Sequence, residues 1–232
     1  MKLIAIILLV IGAVPLYAQV NGLEAQNNVN MLGAGSYTAR TFDNRYKGVK
    51  GSVTLLQDFS PAKIYMTDKK VVTYPKVNFD AHANELIMAR NGSEYVIHKK
   101  LVNRFSIYTG TDSLHFTKVE AEDNKLLYFQ VLVPGNIQLL KKNIKIFKEA
   151  SYQGAYSAGR EFDEFIDDEK YYVTAEGKPL TEFKNKKSLQ QIVPSEYTDE
   201  IDQYIRKNNL NLKEEQHLVM LFRYLNDIVT KR

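Results

Sequence analysis

The sequence predicts an α+β protein. It reads as an antiparallel β-meander, a curved sheet or partly closed barrel, followed by a small hairpin and a C-terminal bundle of about three short helices. Three observations predict it. Turn signals recur about every ten residues through residues 48–148, the spacing of an antiparallel meander. Between them apolar and polar residues alternate, as where Leu114 and Phe116 oppose His115 and Thr117. From Leu189 onward the apolar spacing changes to that of amphipathic helices.

The chain opens with one positive charge, Lys2, and an unbroken apolar run from Leu3 to Val14, followed by Pro15 and Leu16-Tyr17-Ala18. That is the layout of an export signal, with cleavage expected after Ala18. The run is shorter than the ~20 apolar residues a spanning helix needs. No cysteine follows it, so a lipid anchor at that point is excluded. The expected location is outside the cytoplasm, periplasmic or outer-membrane-associated, or secreted. Residues 19–45, rich in Asn, Gly, Ala and Ser, read as a flexible leader. Their "GAGSYTAR" lacks the Lys-Ser/Thr ending and the preceding strand of a phosphate loop.

Residues 46–149 read as the β-domain. Strands are expected at Val53–Leu56, Lys63–Thr67, Val71–Tyr74 and Val77–Asp80, the last two split by Pro75. Leu86–Arg90 and Ser93–His98 flank Asn91-Gly92, a type I′ hairpin signal because both residues tolerate positive φ. Leu101–Tyr108, Leu114–Ala121 and Lys125–Val133 follow. Pro134-Gly135 suits a type II turn into a long strand, Ile137–Lys148. Residues 150–169, with Gly154, Gly159 and the acidic run Asp163–Glu169, read as a connector.

The last region, 170–232, starts with a hairpin. Tyr171–Thr174 and Pro179–Phe183 flank Ala175-Glu176-Gly177, with Gly in the left-handed position. Leu189, Ile192 and Val193 make one helical turn, stopped by Pro194. Tyr197, Ile201, Tyr204 and Ile205 share a face of a second helix, ended by Asn208-Asn209. Asn211 and Glu214 make a cap-like start to a third, striped by Leu218, Leu221, Phe222, Leu225 and Ile228. Three short helices cannot bury that stripe alone, so they pack together and on the hairpin or dock on the β-domain.

Four stretches, "YKGVKGSVTLLQD", "LLYFQVLVPGNIQLLKK", "KYYVTAEGKPLTEFKNKKSL" and "IDQYIRKNNLNLKEEQHLVMLFRYLND", together resemble a group of exported proteins of unknown function from Bacteroidota. The resemblance covers most of residues 46–228. It implies the same order of export signal, meander, two hairpins and helical end, and it carries no activity to any residue. The group's closing "YyN" stands here as Tyr224-Leu225-Asn226.

Composition excludes several chemistries. With no cysteine there are no disulfides and no thiolate metal sites. A net charge of +4 is too mild to imply nucleic acid. Lys141, Lys142 and Lys145 form one of several basic patches, for which solvated strand edges are favoured over an anionic surface contact. Among the 4 histidines, His82 with Asp80 and nearby Glu85 is the best N-terminal metal candidate, yet a site needs three or four ligands. Glu214 and His217 place a Glu-x-x-His on one helix face, without the partner motifs of a di-iron bundle. The acidic run lacks the glycine and ligand spacing of a calcium loop. No Gly-x-Ser-x-Gly elbow occurs. Ser113, in Asp112-Ser113-Leu114, fits a short O-glycosylation pattern of Bacteroidota, and Asn91-Gly92-Ser93 is better explained by its hairpin. No cofactor and no catalytic constellation is expected. The expectation is a non-enzymatic envelope module, self-associating or binding another protein. Its alternatives are a β-domain holding a small apolar ligand or lipid, and an unrecognised hydrolase.

Overall fold

A computed structural model describes residues 35–40, 46, 48–110, 112–121, 124–152 and 159–230. The expected export signal, residues 1–18, and most of the expected leader lie outside the described residues. Eleven strands are described: β1 (Tyr37–Ala39), β2 (Ser60–Met66), β3 (Val71–Asp80), β4 (Glu85–Arg90), β5 (Ser93–Ile97), β6 (Val102–Tyr108), β7 (Ser113–Glu120), β8 (Leu126–Val133), β9 (Ile137–Lys148), β10 (Glu164–Ala175) and β11 (Thr181–Glu182). Short 3-10 segments at Lys186–Gln191 and Ser195–Tyr197 precede helices α1 (Thr198–Lys207) and α2 (Glu215–Thr230).

All strands join one antiparallel sheet in the order β1-β5-β4-β3-β2-β6-β7-β8-β9-β10-β11. It is a meander interrupted twice: β1 pairs with β5 instead of its successor β2, and the chain leaves β5 and returns to pair β6 beside β2. The sheet is curved and open, with β1 and β11 at its ends.

The turn chemistry reads through. Asn91 (φ +50°) and Gly92 (φ +76°) make the β4–β5 turn, and Gly177 (φ +69°) the β10–β11 turn. Four expectations differ. Tyr37–Ala39, inside the presumed leader, pairs with β5 as an edge strand. Val53–Leu56 makes one isolated bridge, Thr54 to Asp80, because this stretch crosses over the sheet instead of joining it. Val71–Asp80 is one strand through Pro75. The missing N–H is tolerated because the register with β2 shifts there between Ser60 and Ala62. Of the presumed connector, Glu164–Glu169 belongs to β10, which pairs with all twelve residues of β9. The acidic run is stabilised as a strand by the lysines opposite it: Asp167 faces Lys145 and binds its ammonium at 2.5 Å.

Two cores result. The first fills the curl of the sheet with Ile64, Val72, Phe79, Leu86, Val102, Phe105, Ile107, Phe116 and Tyr128. Phe105 and Phe116 stack at 4.7 Å, and Tyr128 stands edge-on to Phe105 at 5.0 Å. The second core joins Val133, Ile137, Leu139 and Val173 of the sheet to Leu218, Leu221, Phe222 and Leu225 of α2. Those four helical side chains are fully buried, each removing roughly 1.5–3 kcal/mol worth of apolar surface from water. Ile201 of α1 is buried in the same core, and Tyr204 stacks on Tyr224 at 3.8 Å. α1 also carries Asp199 and Glu200 in its first turn and Arg206 and Lys207 in its last, matching the helix dipole.

Candidate cleft at the β3–β4 turn

The register between β8 and β9 ends at Gln130 opposite Lys141. Beyond it β8 continues with β7 alone and β9 with β10 alone. The β3–β4 turn enters this split. Asn84, in the left-handed region at φ +56°, accepts from the Tyr128 N–H at 2.8 Å and donates to the Tyr128 carbonyl at 2.9 Å. On the other side Lys145 N–H donates to the Ala81 carbonyl at 3.3 Å, and His82 Nδ1 lies 2.8 Å from the Lys145 carbonyl. A carbonyl accepts only, so Nδ1 carries a proton and donates.

A strap, residues 48–57, crosses the same region. Lys50 bonds to β10 through Asp163 and Phe165, each at 2.9 Å. The strap then reaches β3, where Ala81 N–H meets the Val53 carbonyl and Leu55 N–H the Phe79 carbonyl. Gly51 is required at the crossing. Its φ is +83°, and a Cβ there would stand 2.8 Å from the Phe165 carbonyl oxygen. Asn78, buried, secures the far end by pairing with both the N–H and the carbonyl of Leu56.

Strap, turn and the chain leaving β1 enclose an open cleft of about 810 Å³. Asp80 is 2% exposed in its floor. Its Oδ1 accepts from the His82 and Ala83 N–H groups at 2.9 and 2.8 Å, and its Oδ2 takes the Arg40 guanidinium at 2.5 Å. Arg40 Nε stands 3.8 Å from Glu94, and its Nη1 is buried without a hydrogen-bond partner among the described residues. Glu85 and Glu94 line the cleft beside Arg40 and Asp80. Tyr46, His82 and Phe165 form an aromatic wall, with ring centroids 5.1 to 6.1 Å apart. The Ser52 and Thr54 hydroxyls bond each other at 2.7 Å, and Thr54 also donates to the Leu56 carbonyl.

The structure therefore brings Asp80, His82 and Glu85 to one cleft, but ties Asp80 and His82 Nδ1 to protein partners. Among the described residues no group of three or more metal-ligating side chains is placed to hold an ion. Glu214 and His217 serve the start of α2: His217 Nδ1 accepts from Asn211 N–H at 2.9 Å, and Glu214 accepts from the Asn211 carboxamide at 2.7 Å. Ser113 is exposed at the start of β7, opposite Tyr108. A serine–histidine contact does exist, Ser106 Oγ to His115 Nδ1 at 2.8 Å, as a cross-strand pair outside the cleft.

Lys141 and Lys145 of the basic patch are engaged in ion pairs. Lys141, 15% exposed, binds Glu169 and, at 2.7 Å, Glu215 at the start of α2. Tyr171, opposite Lys141, donates to Glu169 at 2.5 Å and lies 3.2 Å from Glu215. Burial disfavours the Lys141 charge, but the bonds to Glu169 and Glu215 outweigh it and raise its pKa. Burial would raise Glu169 as well, yet its bonds to Lys141 and Tyr171 lower it. Burial, followed by the bond to Glu169, raises the Tyr171 phenol. At the wedge, burial lowers Lys99, whose ammonium donates to Asn84 Oδ1 at 3.2 Å.

Arg40, Gly51 and Asn84 were not singled out in the sequence. Their roles come from partners far along the chain, and only Gly51, following Gly48 in a turn-like stretch, left any local signal. No described helix is long and apolar enough to cross a membrane. No protein-family model, no curated protein and no solved structure matches the chain.

Proposed function

We propose that the protein is an exported, non-enzymatic binding module of the cell envelope that works through the Arg40–Asp80 cleft. The observation that carries this reading is a sizeable cleft whose buried acid is spent on structure. Asp80 is buried with both oxygens tied to protein partners, which argues against its acting as a base or nucleophile, while Glu85, Glu94 and the aromatic rings line the open cleft. The rolled sheet is the scaffold, and the C-terminal helical segments act as a small bundle closing its end. Their apolar stripe is buried against β8 and β9, which favours the cleft over the helices as the contact surface.

Export is supported by the layout of residues 1–18 and by the resemblance to exported Bacteroidota proteins. An apolar ligand inside the sheet is disfavoured, because the curl is occupied by Phe79, Phe105, Phe116 and Ile64. Two measurements test the proposal. Mass spectrometry of the protein from fractionated cells is expected to find Gln19 as the N-terminus in the envelope fraction, and an intact Met1 in the cytosol would refute export. A Ser52→Trp variant that fills the cleft at unchanged thermal stability is expected to fail to complement deletion of the gene. Full complementation by that variant would refute the cleft as the working surface.

A further inference from the structure

We infer that the cleft binds a primary alkylammonium group, as carried by a lysine side chain or a free diamine. This rests on the proposed binding role of the cleft. Among its described lining residues, three carboxylates, Asp80, Glu85 and Glu94, face one guanidinium, that of Arg40. The charge of these lining groups is therefore negative overall. Two of the three Arg40 nitrogens are turned into the protein. One of its terminal nitrogens is held by Asp80 at 2.5 Å, and the other is sealed from solvent.

Glu94 is the accessible carboxylate. Its side chain is 46% exposed, and its 3.8 Å separation from Arg40 Nε is longer than a hydrogen bond. Glu85 is half-buried along the same lining. The remaining wall is aromatic, from Tyr46 and Phe165. A carboxylate beside aromatic rings suits an ammonium on an apolar stem: the rings cover the methylenes and attract the charge, while the carboxylate takes the N–H donors. A neutral sugar would gain nothing from the surplus negative charge, and an anion would be repelled by it.

The test is an amide-resolved NMR titration of the whole exported chain with 1,5-diaminopentane, an acetylated lysine peptide, glucose and phosphate. Saturable shifts at Gly51, Thr54 and Ser93 are expected from the diamine or the lysine peptide. The tighter of the two identifies the source as free amine or polypeptide. Glu94→Gln and Glu85→Gln are each expected to weaken binding about fivefold, and Glu176→Gln in the distant β10–β11 turn to leave it unchanged. Cleft shifts from glucose or phosphate alone would overturn the alkylammonium assignment and leave the binding role standing. Binding indifferent to Glu85→Gln and Glu94→Gln would do the same. A cleft silent to all four probes would overturn both.

Discussion

Asn226 of α2 pairs with Ile137 of β9 as a strand would. Its carboxamide oxygen accepts the Ile137 N–H at 3.0 Å, and its nitrogen donates to the Ile137 carbonyl at 2.8 Å. The nitrogen also donates to the Phe222 carbonyl within the helix at 2.9 Å. Gly135 makes the approach possible, since a Cβ at that position would collide with the Asn226 carboxamide. Asn226→Asp turns the donor into an acceptor facing two carbonyls and is expected to cost about 3 kcal/mol, read from urea unfolding. Gly135→Ala is expected to cost about 1–3 kcal/mol, and less in an Asn226→Ala background, because the collision is then relieved while the strain of φ +138° remains.

The same device holds the wedge. Asn84 satisfies both backbone groups of Tyr128, which β9 has left unpaired, and receives Lys99 as well. Asn84→Leu keeps the branching at the γ carbon, removes all three bonds and adds the strain of a left-handed backbone at φ +56°. The expected loss is about 2–4 kcal/mol. Hydrogen exchange offers a sharper check, with faster exchange at the Tyr128 and Lys145 amides and unchanged protection at Ile64 and Phe105 in the first core.

The clasp of Lys141, Glu169, Tyr171 and Glu215 ties α2 to the β9–β10 ribbon, and its pH dependence has a defined sign. Glu169 is lowered below its ordinary 4.5, so its stabilisation is present above that pH and is lost as pH falls through the folded-state value. Lys141 is raised above 10.5 and Tyr171 above 10.0, so their contributions are complete below those values and decline as pH rises beyond them. The expected profile is a plateau between about pH 5 and 10 with both limbs falling. Lys141→Met is expected to lower the plateau by about 1 kcal/mol, a figure reduced for the 47% exposure of Glu169, and to flatten the acid limb. Chemical unfolding across this pH range decides it.

What the sequence made legible was local. Asn91-Gly92 and Gly177 specify their turns through positive φ, and the Leu218–Leu225 stripe specifies a helix with one buried face. The resembling stretches around Gly135 and Asn226 read as structural, and they touch each other across 89 residues of chain separation. What stayed hidden was set at long range. Tyr37–Ala39 becomes a strand only because the β5 edge is open to it. The acidic run joins the sheet as part of β10 where β9 presents Lys148 opposite Glu164 and Lys145 opposite Asp167, a charge match between "KKNIKIFK" and "EFIDDEK" that was present but unread. The cleft exists because Asn84 reaches Tyr128 across 44 residues, which no local pattern announces.

Arg40 and Asp80 are unequal partners, and their variants should show it. Asp80 is 2% exposed on its side chain and Arg40 24%. Asp80→Asn keeps an oxygen for the His82 and Ala83 N–H groups and leaves a guanidinium that has Glu94 and water within reach. Arg40→Met leaves a carboxylate in the floor of the cleft with two backbone donors and no counter-charge. Arg40→Met is therefore expected to be the more damaging, by about 2–4 kcal/mol against about 1–2 for Asp80→Asn. In the double variant the loss should fall short of the sum by more than about 1 kcal/mol, because no buried charge remains to be left alone. Equal single effects, or strict additivity in urea unfolding, would mean that the pair is held by the strap and turn around it and not by its own charges.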